Sequence, residues 1–241
     1  MTPALTSARA MQAMAATWPP AAVRADGPFL IREGRGGGSR VESAVATGPA
    51  TAGDIARAEA AMRALGQRPL FQITPADAAL DAALAARFYA VLDPVVLRAA
   101  PVASLAAPRP PMTTFEVWPP LAAQVEIWAE GGVGPARLAV MDRAAGPKVT
   151  LLGRVDDHPA GTAFVACDGD IAMIHAVEVA TRFRRRGLAR HLMAAAAGWA
   201  ARQGAVTLAL AVTRANGPAN ALYASLGLGP VAEYHYRRLT E

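Results

Sequence analysis

The chain has 241 residues and 24.9 kDa, with a hydrophobic fraction of 53% and a charged fraction of 18%, which is enough apolar material for a sizeable core and excludes a disordered tail protein. The net charge of +5 is almost wholly arginine, with Lys148 the one lysine, and the single cysteine, Cys167, excludes an internal disulfide and a cysteine zinc cage. The longest apolar stretch, 192–201, is too short for a bilayer span of about 20 residues, and Arg9 and Trp18-Pro19-Pro20 interrupt any signal-peptide core, so the expectation is a cytoplasmic protein with no membrane partner.

Taken in chain order, an Ala/Met-rich pattern over 3–16 predicts a helix. Gly34-Arg35-Gly36-Gly37-Gly38-Ser39 follows. It lacks the spacing of either phosphate-loop fingerprint and no lysine follows it, so it reads as a turn. Residues 41–47 are strand-like. Thr51-Ala52-Gly53-Asp54 opens a helix running to Leu65, with Gly66 as its stop. A short strand over 69–73, a helix over 77–87 and a strand over 88–99, interrupted at Asp93-Pro94, complete an α/β half. The stretch 101–111 is a proline-rich connector, and the domain boundary is placed there, giving units 1–105 and 106–241.

Beyond it, 113–118 is a strand, 121–130 a helix stopped by Gly131-Gly132, and 135–144 a second helix. Three consecutive strands are predicted at 149–155, 161–167 and 171–179. A helix begins near Arg186, with Leu188, Leu192, Ala195 and Trp199 on one stripe. Val206, Leu208, Leu210 and Val212 alternate along the next strand. Asn216 is placed to cap a helix carrying Tyr223, and Glu233 and His235 lie on a last strand.

The junction after Val179 favours an anion. A helix start leaves backbone N–H groups without partners and adds partial positive charge. Gly187 lets a ligand approach the backbone, and Arg184, Arg185, Arg186 and Arg190 add mobile charge. The arginines alone would also suit nucleic acid. Few aromatics accompany them, however, and no zinc-finger or helix-turn-helix signature appears, which argues against that partner.

Arg184-x-x-Gly187-x-Ala189, following Val177-x-Val179, resembles the acyl-CoA signature of the GNAT superfamily of N-acetyltransferases. Asn216 followed by Tyr223 within Ala221-Leu222-Tyr223-Ala224-Ser225-Leu226-Gly227 resembles a second hallmark, closest to the ribosomal-protein N-terminal acetyltransferases. The resemblance covers about 112–241. It implies an α/β fold with a mixed central sheet, acetyl-CoA as co-substrate, no metal, and transfer of acetyl to a primary amine by direct attack in a ternary complex.

By the same resemblance, backbone groups of Val177, Glu178 and Val179 hold the pantetheine arm. Those of Arg184, Arg185, Arg186, Gly187, Leu188, Ala189 and Arg190 hold the pyrophosphate. Asn216 contacts the cofactor, and Tyr223 protonates the leaving thiolate. Asn216 also reads as a simple cap, and Tyr223 as a core residue. Relatives carry a glutamate base where this chain has Ala211, so His175 and Glu178 become the candidate bases. Cys167 as an acyl-accepting nucleophile has no base partner in sequence.

Glu126, Trp128, Glu130 and Arg137 fall on the two helices that shape the acceptor pocket in the family, where carboxylates beside Trp128 would suit a cation. Glu126 and Glu130 also read as a solvated face. Glu233 and His235 fall on the strand that borders the acceptor site. The N-terminal half repeats the element order of the family's late part without the arginine-glycine loop. It reads as a degenerate, partial GNAT-like half that extends the sheet or covers the acceptor site, with Leu70-Phe71 and Phe88-Tyr89 in its core. An inactive acyl-CoA-binding sensor or scaffold is the alternative function. The identity of the amine, and whether the chain forms a homodimer, stay open.

Overall fold

Thr51 opens its helix as its spacing from Asp54 predicts. The Thr51 N–H donates to Asp54 Oδ2 at 2.8 Å and Asp54 N–H donates to Thr51 Oγ1 at 3.3 Å, which satisfies two end donors reciprocally. Similar local signals set most elements of this computed structural model, which describes residues 5–108 and 110–239. Part of the helix predicted over 3–16, and Arg109 of the connector, lie outside the described residues.

The first half runs α1 (Ser7–Thr17), β1 (Ala22–Asp26), β2 (Phe29–Glu33), α2 (Ser39–Glu42), β3 (Ala44–Ala46), α3 (Ala52–Ala64), β4 (Leu70–Ile73), α4 (Ala78–Ala86), β5 (Tyr89–Pro101) and α5 (Val102–Leu105). The second runs β6 (Thr114–Val117), α6 (Ala122–Glu130), α7 (Pro135–Arg143), β7 (Lys148–Val155), β8 (His158–Asp168), β9 (Ile171–Val179), α8 (Leu188–Arg202), β10 (Thr207–Thr213), α9 (Gly217–Ser225) and β11 (Gly229–Leu239).

Two sequence expectations give way, and one hairpin carried a signal that was not used. The predicted strand 41–47 is a turn of helix followed by the three-residue β3, because Glu42 Oε1 accepts from Gly36 N at 2.8 Å and closes the glycine-rich loop over α2. The hairpin of β1 and β2 went unread; its signal was Asp26-Gly27, with Gly27 at φ 55°. Asp93-Pro94 does not break its strand. The register of β5 on β11 shifts there, and Asp93 takes φ 45°, so the two residues are absorbed as a bulge.

The strands form one mixed 11-stranded sheet in the order β1-β2-β3-β4-β11-β5-β10-β9-β8-β7-β6. Among the described residues, only β3 with β4 and β9 with β10 are parallel. The centre of the sheet holds a reciprocal exchange. β5, the last strand of the first half, pairs with β10, and β11, the last strand of the second half, pairs with β4.

The α8 stripe predicted from sequence is buried on one face, against Val149, Leu151, Val165, Ile174 and Leu208. α1 covers the other face through Ala10, Ala13 and Met14, over Leu97, Met173, Tyr234 and Tyr236. In the first half, Phe29, Ile55, Met62, Phe71 and Tyr89 form a separate cluster under α3 and α4. Leu70, Phe71 and Tyr89 are core as expected. Phe88 is not: it is 81% exposed, at a left-handed turn of φ 63°.

Candidate active site

β9 and β10 hydrogen-bond only where 171–173 meet 207–209. Past Met173 and Ala209 they diverge while each keeps its outer partner, β9 on β8 as far as Val179 and β10 on β5 as far as Thr213. The gap leaves the inner edge of 174–179 without a strand partner, in the middle of the sheet. At its start Ala176 has φ 48°, and the β8 register slips between Thr162 and Phe164, which marks a bulge. Fully buried Trp128 pins this bulge by donating its indole N–H to Ala176 O at 2.8 Å. Trp128 is therefore a core residue that shapes β9, and Glu126 and Glu130 are exposed on the solvated face of α6.

The gap opens toward the start of α8. Gly187 caps that helix at φ 82°, and a Cβ added there would meet no atom within 4 Å. The left-handed backbone, and not close approach, is what requires glycine at this position in the free protein. The backbone N–H groups from 185 to 189 have no hydrogen-bond partner among the described residues. Leu188 fixes the height of this helix end over the sheet, because a Cβ at Gly153 or Gly161 would come within 2.9 Å of its side chain.

Three of the arginines expected to be mobile are tethered. Arg184 Nε donates to Val179 O at 3.0 Å, Arg186 pairs with Asp156 at 2.8 Å, and Arg190 donates to Ser225 Oγ at 3.0 Å. Asn216 Oδ1 accepts from Ala219 N at 3.2 Å and caps α9.

Glu178, Arg184 and Tyr223 come together beside the gap. Arg184 Nη2 lies 4.0 Å from Glu178 Oε2. Burial raises the Glu178 carboxyl above the usual carboxylate range, with Arg184 pulling the other way. Burial, and then the charge of Glu178, push the Tyr223 hydroxyl up to about 12. Gly131 is the close neighbour of Glu178: a Cβ there would lie 2.5 Å from its carboxyl carbon.

His175 is buried two residues before Val177. Its Nδ1 faces Arg40 Nη1 at 3.2 Å and its Nε2 faces Thr17 Oγ1 at 2.9 Å. Arginine only donates, so Nδ1 accepts and Nε2 carries the proton. Thr17 then donates to Ala13 O at 2.7 Å. Burial, and then Arg40, hold His175 well below its ordinary range, so the ring is neutral.

Around these groups lies a cavity of about 300 Å³, with Glu178 and His175 in its wall together with Trp18, Arg40, Arg137 and Tyr234. Of its other components only Arg137 was read from sequence. Trp18 and Arg40 went unread because their role depends on α1 and the glycine-rich loop meeting β9. Tyr234 and Tyr236 had a weak signal in their alternation with Glu233 and His235, which puts them on the buried side of β11.

Glu233 and His235 point to the other side. Glu233 pairs with Arg214, His235 lies 2.9 Å from Asp81, and both line a second cavity of about 360 Å³. Cys167 is buried in the α8 cluster, its thiol pushed up to about 11 by burial. Ala211 packs partly buried against the α1 cluster.

Residues 111–228 match the model of the acetyltransferase (GNAT) family. The match covers just under half of the chain. Solved structures extend the likeness to the whole fold. A GCN5-related N-acetyltransferase from Kribbella flavida superposes with a TM-score of 0.72 at 19% identity, covering 98% of this chain and 96% of that one. A functionally unknown conserved protein from Staphylococcus epidermidis gives 0.69 at 11% identity, over 90% and 93%. A tandem GNAT protein from the clavulanic acid biosynthesis pathway gives 0.60 at 15%, over 95% and 86%. No curated protein matches the chain. Among the described residues no helix is long and apolar enough to cross a membrane, and no group of three or more metal-ligating side chains occurs.

Proposed function

We propose that the chain is a cytoplasmic, acetyl-CoA-dependent N-acetyltransferase that acetylates a primary amine by direct attack in a ternary complex. Acyl transfer from acetyl-CoA is the general chemistry of the GNAT family. The observation that carries the finer reading is the parting of β9 and β10 in front of the free N–H groups at 185–189. A pantetheine arm lying along Val177, Glu178 and Val179 completes the interrupted ladder, and the pyrophosphate takes the donors at the start of α8. Asn216 supports this from a distance, by capping α9 and so placing Tyr223.

Glu178 serves as the base in this reading. Its raised carboxyl is a better proton acceptor than an ordinary carboxylate, and it faces the cavity from the strand that holds the thioester. The amine nitrogen forms the C–N bond as an N–H at the end of β9 meets the developing oxyanion. The C–S bond then breaks, and Tyr223, protonated at neutral pH, donates to the sulfur. Of the two protons the ammonium loses, one ends on the thiol by way of Tyr223 and one leaves through Glu178 to solvent. His175, with both ring nitrogens engaged, is a positioning residue for Arg40 and leaves the base role to Glu178. No step draws on a metal. The 1–105 segment joins the 106–241 acyltransferase unit as a GNAT-like half that covers the acceptor site.

Calorimetric titration with acetyl-CoA at two salt concentrations, followed by thiol release with an amine panel, tests this. One-to-one binding with turnover is expected, and Tyr223→Phe is expected to lower kcat by about 10²-fold or more without weakening cofactor binding. Binding without turnover on any amine favours an acyl-CoA sensor. No binding up to about millimolar, weaker than about −4 kcal/mol, overturns both.

A further inference from the structure

Arg40 is half-buried, and its Nε is buried without a hydrogen-bond partner. Its neighbours are neutral: His175 Nδ1 accepts from Nη1, the Trp18 ring lies 5.8 Å away, and the Tyr234 and Tyr236 hydroxyls lie beside it. Arg32 deepens the imbalance. It donates to Arg40 O and to Gln72 Oε1, so a second half-buried cation stands behind the first. Among the described residues no carboxylate forms an ion pair with either arginine. A partly buried guanidinium without a counter-charge is costly, and a ligand carboxylate would supply that charge. Two carboxylates line the same cavity. Asp93 is exposed at the rim, and Glu178 is drawn toward Arg184.

We infer that the acceptor is an amino acid, a molecule with both amine and carboxylate, whose carboxylate is held by Arg40 while its amine faces Glu178. This rests on the acetyltransferase reading above. The cavity wall carries one group for each end of such a molecule. His175 holds the Arg40 guanidinium through Nη1, and Nε is the donor that no protein group satisfies. A carboxylate presents two oxygens to a guanidinium, the pairing for which arginine is best suited. Arg137, donating to Gly132 O at 3.4 Å, adds positive charge at the same wall. The volume of about 300 Å³ is at the small end for ligand pockets and suits a single amino acid better than a polyamine chain.

The test uses the full chain with acetyl-CoA. Thiol release is measured for the twenty L-amino acids, their C-terminal amides and the corresponding decarboxylated amines. Taurine and O-phosphoethanolamine serve as other anionic amines. At least one amino acid is expected to exceed its amide and its decarboxylated amine in kcat/KM by about ten- to a hundredfold. Arg40→Gln is expected to erase that preference through KM while acetyl-CoA affinity holds. The wild-type comparison stands even if the variant fails to fold.

Calorimetric binding of the same panel to the complex with coenzyme A is read in parallel. Equal rates for acids and amides, best turnover with taurine or O-phosphoethanolamine, or neither turnover nor binding of any amino acid each overturn the inference. If acetyl-CoA itself does not bind, the acetyltransferase reading fails instead, and the titration described above separates the two cases.

Discussion

The wall of the cleft that faces the β9–β10 gap is made from one strand, one loop and the helix ends that follow it. Its donors are backbone N–H groups, and three of its arginines are tied to protein partners, as Arg186 is to Asp156. The opposite wall draws Trp18, Arg40, Arg137 and Tyr234 from four separate elements, and its central arginine has no carboxylate partner among the described residues. The first wall meets a constant ligand with main chain, which tolerates side-chain change. The second meets its ligand with side chains held in place by packing, so its recognition depends on how both halves of the molecule come together. The two walls should therefore fail differently.

The most drastic way to separate them is to remove residues 1–105. This takes away α1, Trp18 and Arg40, and also β5, which pairs with β10 from Thr213 to Thr207 and lies beside β11. β10 would then be an edge strand, and β11, which loses β4 as well as β5, would have no strand partner on either side. The 106–241 fragment is expected to lack a cooperative thermal transition by circular dichroism. A cooperative melt near that of the full chain would mean that the exchanged strands are dispensable and that the two walls are independent.

Glu178 stands where the walls meet. Glu178→Gln is expected to lower kcat by about 10²–10⁴-fold with little change in acetyl-CoA affinity. Because burial raises the carboxyl, the wild-type rate should climb with pH through an inflection above the usual carboxylate range, and the variant should lose that limb. An unchanged pH profile in the variant would remove Glu178 as the base. Gly131→Ala makes a finer cut. The new methyl would fall 2.5 Å from the Glu178 carboxyl carbon, and a flexible side-chain end yields more readily than backbone. A loss of about tenfold in kcat is expected from a misplaced base, with the melting temperature nearly unchanged. A large stability loss with an intact rate would show that Glu178 has room to spare.

How far each wall was legible follows from its construction. Val177 to Ala189 lie in one stretch, so the spacing of Arg184, Gly187 and Ala189 after a strand announced a donor-rich helix start. The left-handed backbone of Gly187, at φ 82°, is a demand that the spacing alone does not announce. In the sequence Trp128 is an aromatic beside carboxylates. Nothing local says that its N–H closes on Ala176 O, 48 residues away. Arg40 carried no motif at all. Its meaning comes from meeting His175 across 135 residues and from the absence of an acid, and both are properties of the assembled core. The exchange of β5 and β11 was invisible for the same reason, since strand alternation fixes faces but not neighbours.

The smallest effect probes the joint between Arg40 and the sheet. His175 is held neutral in the native state by burial and by Arg40. In the unfolded chain it titrates near its ordinary value of 6.5. Below that pH the unfolded state binds a proton that the native state refuses, so stability falls as pH drops. One such group costs about 1 kcal/mol between pH 6.5 and 5.5. Urea titrations at those two pH values should register this as a lower midpoint for the wild type. His175→Gln keeps an acceptor for Arg40 and a donor for Thr17 without a titrating ring, so its midpoint should move less by that amount. Equal pH dependence in the two proteins would mean that His175 takes its proton without opening the core. The Arg40 guanidinium would then lack the fixed neutral partner on which the acceptor wall depends.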